Sequence, residues 1–381
     1  MFGIQLIALL TIVAHALGSP QQSPFSVVKP TREIDTWALN PAGDAAVIGV
    51  RASDNGRPSY ELHHLAINAQ YIVPSTLYGP ASPDAQYTFL DDHTFLTVSP
   101  VNEDEWEIAT QYLNYTTLPP AYPPSASQPQ PLGTISRSET INQIAYSGEA
   151  GILTLHTNSH LILVNLHRDQ KHHWAMRSGP SFLPLDSKVD KIATNGTHLV
   201  YAAQSNQRYA IYLINLEESV LSPTIIHTSH HTLTAATLGP NDVIAWLSQK
   251  DEGTRELWLF DAGVHSWEVP LSFNHSPESI IFSKDGEALY LLAKHDTQQS
   301  LFHIWTSVYS DKNSVEPIRI PSNGTIHSAV HVGITPLDHA HLIGVKSDGS
   351  RGEGKELWVI SHSPHEDPTY NYENIRLTYF T

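Results

Sequence analysis

The chain has 381 residues, no cysteine and a formal net charge of −17 at pH 7. It is too long for one ordinary small core, and the missing cysteine excludes disulfides, thiol nucleophiles and cysteine-ligated metals. The acidic charge argues against nucleic acid or an anionic membrane as a partner. Eight Trp and sixteen Tyr, without a long amphipathic helical period, favour an all-β protein of many short strands.

Residues 1–18 are typical of a secretory signal peptide. Gly3–Leu17 is almost entirely apolar, and the small residues Ala16 and Gly18 stand at the positions that signal peptidase requires. No Lys or Arg precedes the apolar run, which is also short for a membrane span. We therefore expect a cleaved leader and a secreted, extracellular chain, with residues 19–36 as an N-terminal extension.

Sequons for N-glycosylation fit an extracellular location. They lie at Asn114-Tyr-Thr, Asn195-Gly-Thr and Asn323-Gly-Thr. A fourth, at Asn274, is followed by a proline, which lowers occupancy. We expect glycans at Asn114, Asn195 and Asn323.

A weak repeat runs through residues 37–361. Ser248–Phe260 and Ser347–Ile360 each lead from a polar, Gly-containing turn into Glu-Leu-Trp and a short apolar strand, and Ser53–Leu62 is a looser copy. A small sheet with two apolar faces needs a neighbour on each side, and a ring of sheets provides both. The pattern predicts a seven-bladed β-propeller of WD40-like repeats over residues 37–361, with residues 362–381 as a C-terminal linker or tail.

Each predicted unit contains two or three recognisable strands. In chain order these are Ala45–Val50 and Tyr60–Ile67; Tyr87–Leu90, Thr94–Val98 and Trp106–Leu113; Ile141–Tyr146, Ile152–His156 and Leu161–Leu166; Val189–Ala193, Leu199–Ala203 and Tyr209–Leu216; Leu233–Leu238, Val243–Leu247 and Glu256–Asp261; Ser279–Ser283, Ala288–Ala293 and Leu301–Thr306; Ile326–Val330, Ala340–Val345 and Glu356–Ser361. Residues 116–133 are rich in Pro and Ser and predict an exposed linker between the second and third units. Residues 25–35 either supply the outer strand of the last blade or leave the ring open.

No catalytic motif is present. The sequence contains no Gly-x-Ser-x-Gly elbow and no phosphate-binding glycine loop. We therefore expect no catalytic residue and no cofactor. The acidic clusters Asp91-Asp92, Glu103-Asp104-Glu105 and Asp251-Glu252 lie in predicted hairpins. Such carboxylates are usually solvated rather than arranged for glycoside hydrolysis.

The 23 histidines raise the question of a metal site. Adjacent pairs such as His63-His64 point to opposite faces of a strand and cannot chelate together. His339, His341 and His331 could supply three nitrogens, but surface and hairpin positions are the preferred interpretation, and we expect no metal. The third-strand tryptophans are expected to pack between blades; they are Trp106, Trp258, Trp305 and Trp358.

Two turns and the C-terminus resemble a known family. Leu39-Asn-Pro-Ala-Gly43 and Phe282-Ser-Lys-Asp-Gly286 are similar to the Ser-Pro-Asp-Gly turns of TolB-like propellers, and Asn374–Thr381 resembles the linker that follows such a propeller in some peptidases. The chain resembles the N-terminal propeller of fungal secreted dipeptidyl-peptidase V, a family S9 serine peptidase of the prolyl oligopeptidase clan. In that family the catalytic triad belongs to a C-terminal hydrolase domain, which we expect to be absent from this chain.

The resemblance implies a function in peptide hydrolysis. The family's propeller restricts access to the active site and helps to bind the peptide, so the implied partners are a peptide substrate and a hydrolase domain. Two alternatives stay open: a self-contained propeller enzyme, such as a lactonase or glycosidase, and a protein-binding module.

Overall fold

The structure is a computed structural model. It describes residues 31–378 except 55–56, 68–74, 77–81, 115–124, 137–138, 171–172, 186, 206–207, 252–253, 262–264, 272–274, 287, 296–297, 306–316, 323, 335–339, 348–353 and 363–371. The described residues form seven separate antiparallel sheets around a common axis. The fold is the expected seven-bladed β-propeller.

The first three blades are built from consecutive strands. Blade 1 consists of β1 (Thr31–Leu39), β2 (Ala45–Asp54), β3 (Arg57–Ala66) and β4 (Ser75–Thr76). Blade 2 consists of β5 (Gln86–Phe89), β6 (Thr94–Pro100), β7 (Glu105–Asn114), β8 (Ser125–Ala126) and β9 (Gln130–Ser136). Blade 3 consists of β10 (Gln143–Ser147), β11 (Ile152–His156), β12 (His160–Arg168), β13 (Trp174–Met176) and β14 (Ser181–Pro184).

The last four blades follow the same order. Blade 4 consists of β15 (Lys188–Asn195), β16 (His198–Ser205), β17 (Arg208–Asn215) and β18 (Thr224–Ser229). Blade 5 consists of β19 (Thr232–Leu238), β20 (Val243–Asp251), β21 (Thr254–Asp261) and β22 (His265–Leu271), with a 3-10 turn, Pro240–Asp242, between its first two strands. Blade 6 consists of β23 (Ser276–Phe282), β24 (Ala288–His295), β25 (Gln298–Trp305) and β26 (Ile318–Ile320). Blade 7 consists of β27 (Thr325–Ile334), β28 (Ala340–Ser347), β29 (Glu356–His362) and β30 (Tyr372–Arg376).

The first strand of each blade lies next to the axis, and the blade continues outward from it. We call the face formed by the turns between second and third strands the upper face. The face formed by the turns between first and second strands is the lower face.

Apolar side chains fill each boundary between neighbouring blades. Along β24, Tyr290 and Leu292 point towards blade 7, whereas Leu289 and Leu291 point towards blade 5. This alternation follows from the two-residue period of a strand. Seven such clusters occupy the seven boundaries, which explains why strands with two apolar faces are stable in a ring.

The ring closes between blades 1 and 7 without a shared strand, through side-chain packing and one backbone hydrogen bond, in which the Ile34 N–H donates to the Lys355 carbonyl at 3.3 Å. Among the described residues, blade 1 contains only N-terminal strands and blade 7 only C-terminal ones. Ile34 and Ile48 of blade 1 pack with Val345 and Leu357 of blade 7. The Nε1 of Trp37 also donates to Ser328 Oγ at 2.8 Å.

The structure corrects three expectations about the ends and the linker. Residues 31–35 belong to the innermost strand of blade 1, not to an outer strand of the last blade. The propeller extends beyond 37–361 on both sides, because β30 lies within the expected tail. The Pro-rich region is not wholly a linker, because β9 pairs with β7 as an outer strand. Pro131 is tolerated there because an edge strand can spare one backbone donor.

The predicted signal peptide lies outside the described residues and stays a prediction. Within the described part of the chain, no helix has the length and apolar character needed to cross a membrane.

Candidate functional site

The axial strands of five blades contain a β-bulge. The extra residues lie in the first half or near the middle of each strand. They are Asp35, Asp190 and Lys191, Ala235 and Ala236, Glu278, and His327; β27 has a second register shift nearer its end, between His331 and Gly333, which is not included here. A bulge leaves a residue without a partner on the neighbouring strand and redirects its side chain. We call these residues the bulge ring.

The Lys191 side chain of the bulge ring reaches across the axial space. Lys191 Nζ of blade 4 lies 3.3 Å from the carbonyl oxygen of Glu278 in blade 6. Blade 5 lies between them, so this hydrogen bond spans the axial space. Asp35 is held by Arg51, whose Nη2 lies 3.1 Å from both carboxylate oxygens. Charged residues of both signs therefore lie on the axial strands.

His327 completes the ring at the boundary of blades 7 and 1. Its Nε2 lies 3.0 Å from Ser347 Oγ. Burial, and next the positive charge of Lys355, lower the pKa of His327, while Glu33 opposes them. Lys355 itself pairs with Glu33 at 3.3 Å. His327 is therefore a neutral hydrogen-bonding group at neutral pH.

A second polar cavity opens on the lower face, with a volume of about 570 Å³. It lies among the first turns of blades 3 to 6, and Glu149, Asp242 and Lys284 supply its charges. His198 Nδ1 lies 3.0 Å from Asp242 Oδ1. Asp242 has a φ of 59°, a left-handed conformation that is uncommon outside glycine. Strained residues of this kind often occur at functional sites.

A Ser-His-Glu cluster on the upper face is structural. Ser159 Oγ contacts Glu139 Oε1 and also lies 2.8 Å from His160 Nδ1. The same nitrogen lies 3.3 Å from Glu139, whereas a triad uses the two different ring nitrogens to link serine and acid. The hydroxyls of Ser159 and Thr157 lower the pKa of Glu139 to about 2, so its carboxylate fixes the turn as an acceptor.

The acidic clusters predicted from the sequence do not converge. Asp91 accepts the backbone N–H groups of His93 and Thr94 at 2.9 and 2.7 Å, so it shapes its own turn on the lower face. Residues 103–105 are exposed on the upper face. Glu252 lies outside the described residues. None of the acidic clusters predicted from the sequence contributes a residue to the bulge ring.

The expectation of surface histidines is wrong for several of them. His63, His64, His156, His303 and His362 are buried. Sequence alone does not show this, because the covering residues come from neighbouring blades. His331 and His341 lie on adjacent strands, but their side chains and the whole of His339 are outside the description. Within the described residues, no three His, Asp or Glu side chains are grouped to hold a metal.

The tryptophans follow the expected packing role where their side chains are described. Trp106 is buried between blades 2 and 3. Trp258 stacks on Trp246 with ring centroids 6.1 Å apart, and Trp358 lies 4.2 Å from Lys346 Nζ. The Trp305 side chain is not described. None of the described rings forms an exposed sugar-stacking platform.

The sequons lie in different surroundings. Asn114 is half-buried at the end of β7. Asn195 is also half-buried, and its Nδ2 donates to the Gly239 carbonyl beside the lower cavity. Asn323 lies outside the described residues. Glycosylation at all three stays a prediction.

Comparisons with known proteins establish the fold. No family model matches the chain, and no curated protein sequence matches it. Hsv2 of Kluyvelomyces marxianus matches with a TM-score of 0.56 at 10% identity, over 92% of this chain and 100% of its own. The β-propeller domain of the trilobed protease from Pyrococcus furiosus, which has an open velcro topology, matches with a TM-score of 0.53 at 10% identity, over 92% and 99%.

A full-length peptidase also contains a similar propeller. The acylaminoacyl peptidase of Pyrococcus horikoshii matches with a TM-score of 0.52 at 10% identity, over 92% of this chain and 52% of its own. Propeller domains of S9 peptidases are thus among the structural neighbours. At this level of identity, the similarity concerns the fold alone.

Proposed function

We propose that this chain is a secreted propeller that controls peptide access in a serine peptidase resembling dipeptidyl-peptidase V. The observation that carries the proposal is the bulge ring, in which Asp35, Lys191 and Glu278 are extra residues of axial strands and Lys191 reaches across the axis to the Glu278 carbonyl. The proposal is that an extended peptide enters along this axis and a folded protein does not. Two of the matching propellers belong to peptidases, which supports the same function.

The channel charges suit peptide termini and basic side chains. Glu33 and Glu278 are exposed carboxylates that accept from Lys355 and Gln299, and an amino terminus or a lysine would compete for them; Lys191 is an exposed donor for a carboxyl group. Because water screens exposed ion pairs, each pair contributes little to the free energy of peptide binding. The channel therefore selects and orients peptides weakly, as an access domain requires.

The chain alone should bind peptides without cleaving them. We propose titrating fluorescein-labelled Lys-Ala peptides by anisotropy, and assaying X-Ala and Lys-Ala chromogenic dipeptides with the same preparation. Glu278→Lys should weaken peptide binding about threefold, equivalent to about 0.7 kcal/mol, which is within the range of exposed ion pairs. Glu103→Lys makes the same charge change on the outer upper surface and should alter binding less than about twofold. Robust turnover, or equal weakening by both variants, would contradict the proposal.

A self-contained hydrolase is the second candidate, and the lower cavity favours it. Asp242 is strained and paired with His198, and Glu149 lies in the same cavity. Two carboxylates and a histidine could perform general acid–base chemistry on a lactone or glycoside. Asp242→Asn should then abolish activity on a panel of lactones and aryl glycosides. Absence of activity in the unaltered chain would eliminate this candidate.

A further inference from the structure

The boundary between blades 2 and 3 changes in character along β7. At the upper end of this strand, Trp106 and Ile108 pack into the apolar core that the two blades share. The next alternate residues of β7 are Thr110 and Tyr112, which lie on the same face because side chains two apart in a strand share a face. Towards the lower face, the boundary is therefore polar and aromatic.

A pocket of about 220 Å³ lies in this part of the boundary. Thr110, Tyr112 and Gln130 of blade 2 line it on one side, and Arg168, His173 and Trp174 of blade 3 line it on the other. A water molecule takes up about 30 Å³ in the liquid, so the pocket has room for about seven waters. One small ring-shaped ligand needs a similar space.

Two hydrogen-bonding groups in the pocket wall have no partner among the residues that the structure describes. The Thr110 side chain is buried, at 5% exposure, and its hydroxyl makes no hydrogen bond within that part of the chain. The Nε1 of Trp174 is also buried and unpaired there. Unpaired buried polar groups are unfavourable, so a ligand that supplies partners for them would be stabilised.

The charged groups of the wall already have partners. Arg168 Nη1 lies 3.3 Å from Asp91 Oδ2, and His173 Nδ1 lies 3.6 Å from Asp169 Oδ2. A charged ligand would have to compete with these partners, whereas a neutral ligand would not. The other hydrogen-bonding groups of the wall are uncharged hydroxyl, amide and indole groups. The wall therefore suits a neutral ligand that is rich in hydroxyl groups.

Aromatic rings supply the apolar part of the wall. Tyr112 is 48% exposed, and its ring centroid lies 5.6 Å from that of His93. The Trp174 ring meets Tyr146 edge-on, with centroids 6.1 Å apart. Such side chains combine an apolar ring with a polar group. A sugar ring has the matching combination of C–H faces and hydroxyl edges.

We propose that this pocket between blades binds a neutral sugar ring. The sugar hydroxyls pair with Thr110, Gln130 and the Trp174 indole, and the C–H groups pack against Tyr112. The ring belongs either to a glycan attached to this chain or to a free saccharide, since both offer the same chemistry. The inference does not depend on the proposed access function.

The expected glycosylation site at Asn114 lies close to the pocket in the chain. Asn114 is two residues after Tyr112 at the end of β7, so the two side chains share a face of the sheet. Its sequon is completed by Thr116. A sugar tethered next to its site has an effective concentration in the mM range, which is enough to fill a weak site. The glycan of Asn114 is thus the nearer of the two sources.

The first test uses the full chain made in bacteria, which carries no N-glycan. Neutral methyl glycosides of glucose, mannose and N-acetylglucosamine are titrated, and binding is followed by saturation-transfer NMR. We expect binding of at least one neutral glycoside. Its charged relatives, the uronate and the amino sugar, should bind about fivefold more weakly because the charged groups of the wall are already paired.

Matched variants locate the binding. Thr110→Val removes the hydroxyl and keeps the shape, and Trp174→Phe removes the indole N–H and keeps a ring. Each should weaken glycoside binding about fivefold. Because its hydroxyl is unpaired, Thr110→Val should leave the ligand-free chain at least as stable as the wild type in chemical denaturation.

Two controls make the same chemical changes away from the pocket. Thr224→Val alters an exposed hydroxyl on β18. Trp258→Phe removes a buried Nε1 that also lacks a partner within the described residues, but at the boundary of blades 4 and 5. Both controls should leave glycoside binding within about twofold of the wild type.

The chain secreted from glycosylating cells distinguishes the two sources. If the glycan of Asn114 fills the pocket, free glycosides will bind the bacterial chain and not the secreted one, and Asn114→Gln will restore binding to the secreted chain. If a free saccharide is the ligand, both forms will bind it equally. Either result supports a sugar pocket and assigns its occupant.

Three results would overturn the proposal. The bacterial chain could bind none of the neutral glycosides at the mM concentrations that tethering would reach. Thr224→Val and Trp258→Phe could weaken binding as much as the pocket variants do, which would place the sugar elsewhere. The uronate or the amino sugar could bind more tightly than the neutral glycosides, which would make the pocket a site for ions.

Discussion

His303 and His362 face each other across the boundary of blades 6 and 7, with ring centroids 5.2 Å apart. Tyr290 Oη lies 3.2 Å from His362 Nε2, and all three side chains are buried. Burial, and next the repulsion from His362, lower the pKa of His303 to about 3. A buried charge at this boundary would therefore oppose folding.

Acid should destabilise the propeller through His303. In the unfolded chain a histidine has a pKa of about 6.5. Between that pH and the lower pKa of folded His303, the unfolded state binds a proton and the folded state does not. Stability should be complete above about pH 6.5 and fall as the pH decreases towards 3, by on the order of 1–3 kcal/mol at about pH 4.5. Urea unfolding at several pH values measures this loss. His303→Gln should flatten the slope, whereas His167→Gln, at an exposed position, should not.

Gly49 illustrates a close approach between strands of blade 1. A Cβ at this position would overlap Tyr60 Oη and would lie 2.8 Å from Thr36 Cγ2. We predict that Gly49→Ala destabilises the fold by about 1–3 kcal/mol through overpacking. Gly179→Ala is the control, because nothing lies within 4 Å of its Cβ position. Adding Tyr60→Phe to Gly49→Ala should restore part of the loss, and no recovery would argue against this contact.

At the scale of elements, β30 is attached to β29 by a buried ion pair. Arg376 Nη2 lies 2.8 Å from Glu356 Oε1, and the two side chains are 19% and 3% exposed. The backbone N–H of Leu377 also donates to Leu357 at 2.8 Å. Since Leu357 and Leu377 pack against blade 1, this outer strand helps to close the ring.

Removing one partner of that ion pair should be costly. We predict that Arg376→Ala destabilises the chain by about 3 kcal/mol, because it leaves the Glu356 carboxylate buried without its cation. Arg51→Ala breaks the exposed Asp35–Arg51 pair, at 30% and 60% exposure, and should cost less than about 1 kcal/mol. Chemical denaturation compares the two. Equal losses would show that burial does not decide the strength of these pairs.

Central strands could be predicted from the sequence, and outer strands could not. Residues 152–156 form β11 with the bounds expected, because a strand buried on both faces is rich in apolar residues, here Ile152, Leu153 and Leu155. The outer strands β9 and β14 are mostly exposed and each contains a proline, so they lack that signal. Their existence depends on pairing with β7 and β12, which no local pattern encodes.

The candidate sites could not be predicted from the sequence pattern either. A bulge such as that at Asp35 depends on the register between two strands and not on residue type. The lower cavity collects Glu149, Asp242 and Lys284 from turns in three different blades. Acidic residues that are adjacent in sequence therefore did not predict these sites, because the residues that form the sites come from different blades.

For the whole molecule, the ring gives a closed surface with an axial channel and an acidic exterior. Seven boundaries of similar construction hold it together, and the boundary of blades 1 and 7 differs only in that distant parts of the chain meet there. Exposed acidic groups favour cationic partners.

The most direct test of the access function locates a bound peptide within the ring. A Lys-Ala peptide with a photoreactive side chain would be cross-linked to the purified chain, and the labelled residues would be identified by mass spectrometry. We predict cross-links on the axial strands β1, β15 and β23, close to Asp35, Lys191 and Glu278. Cross-links confined to outer strands, or cleavage of the peptide by the chain alone, would contradict a peptide-access propeller.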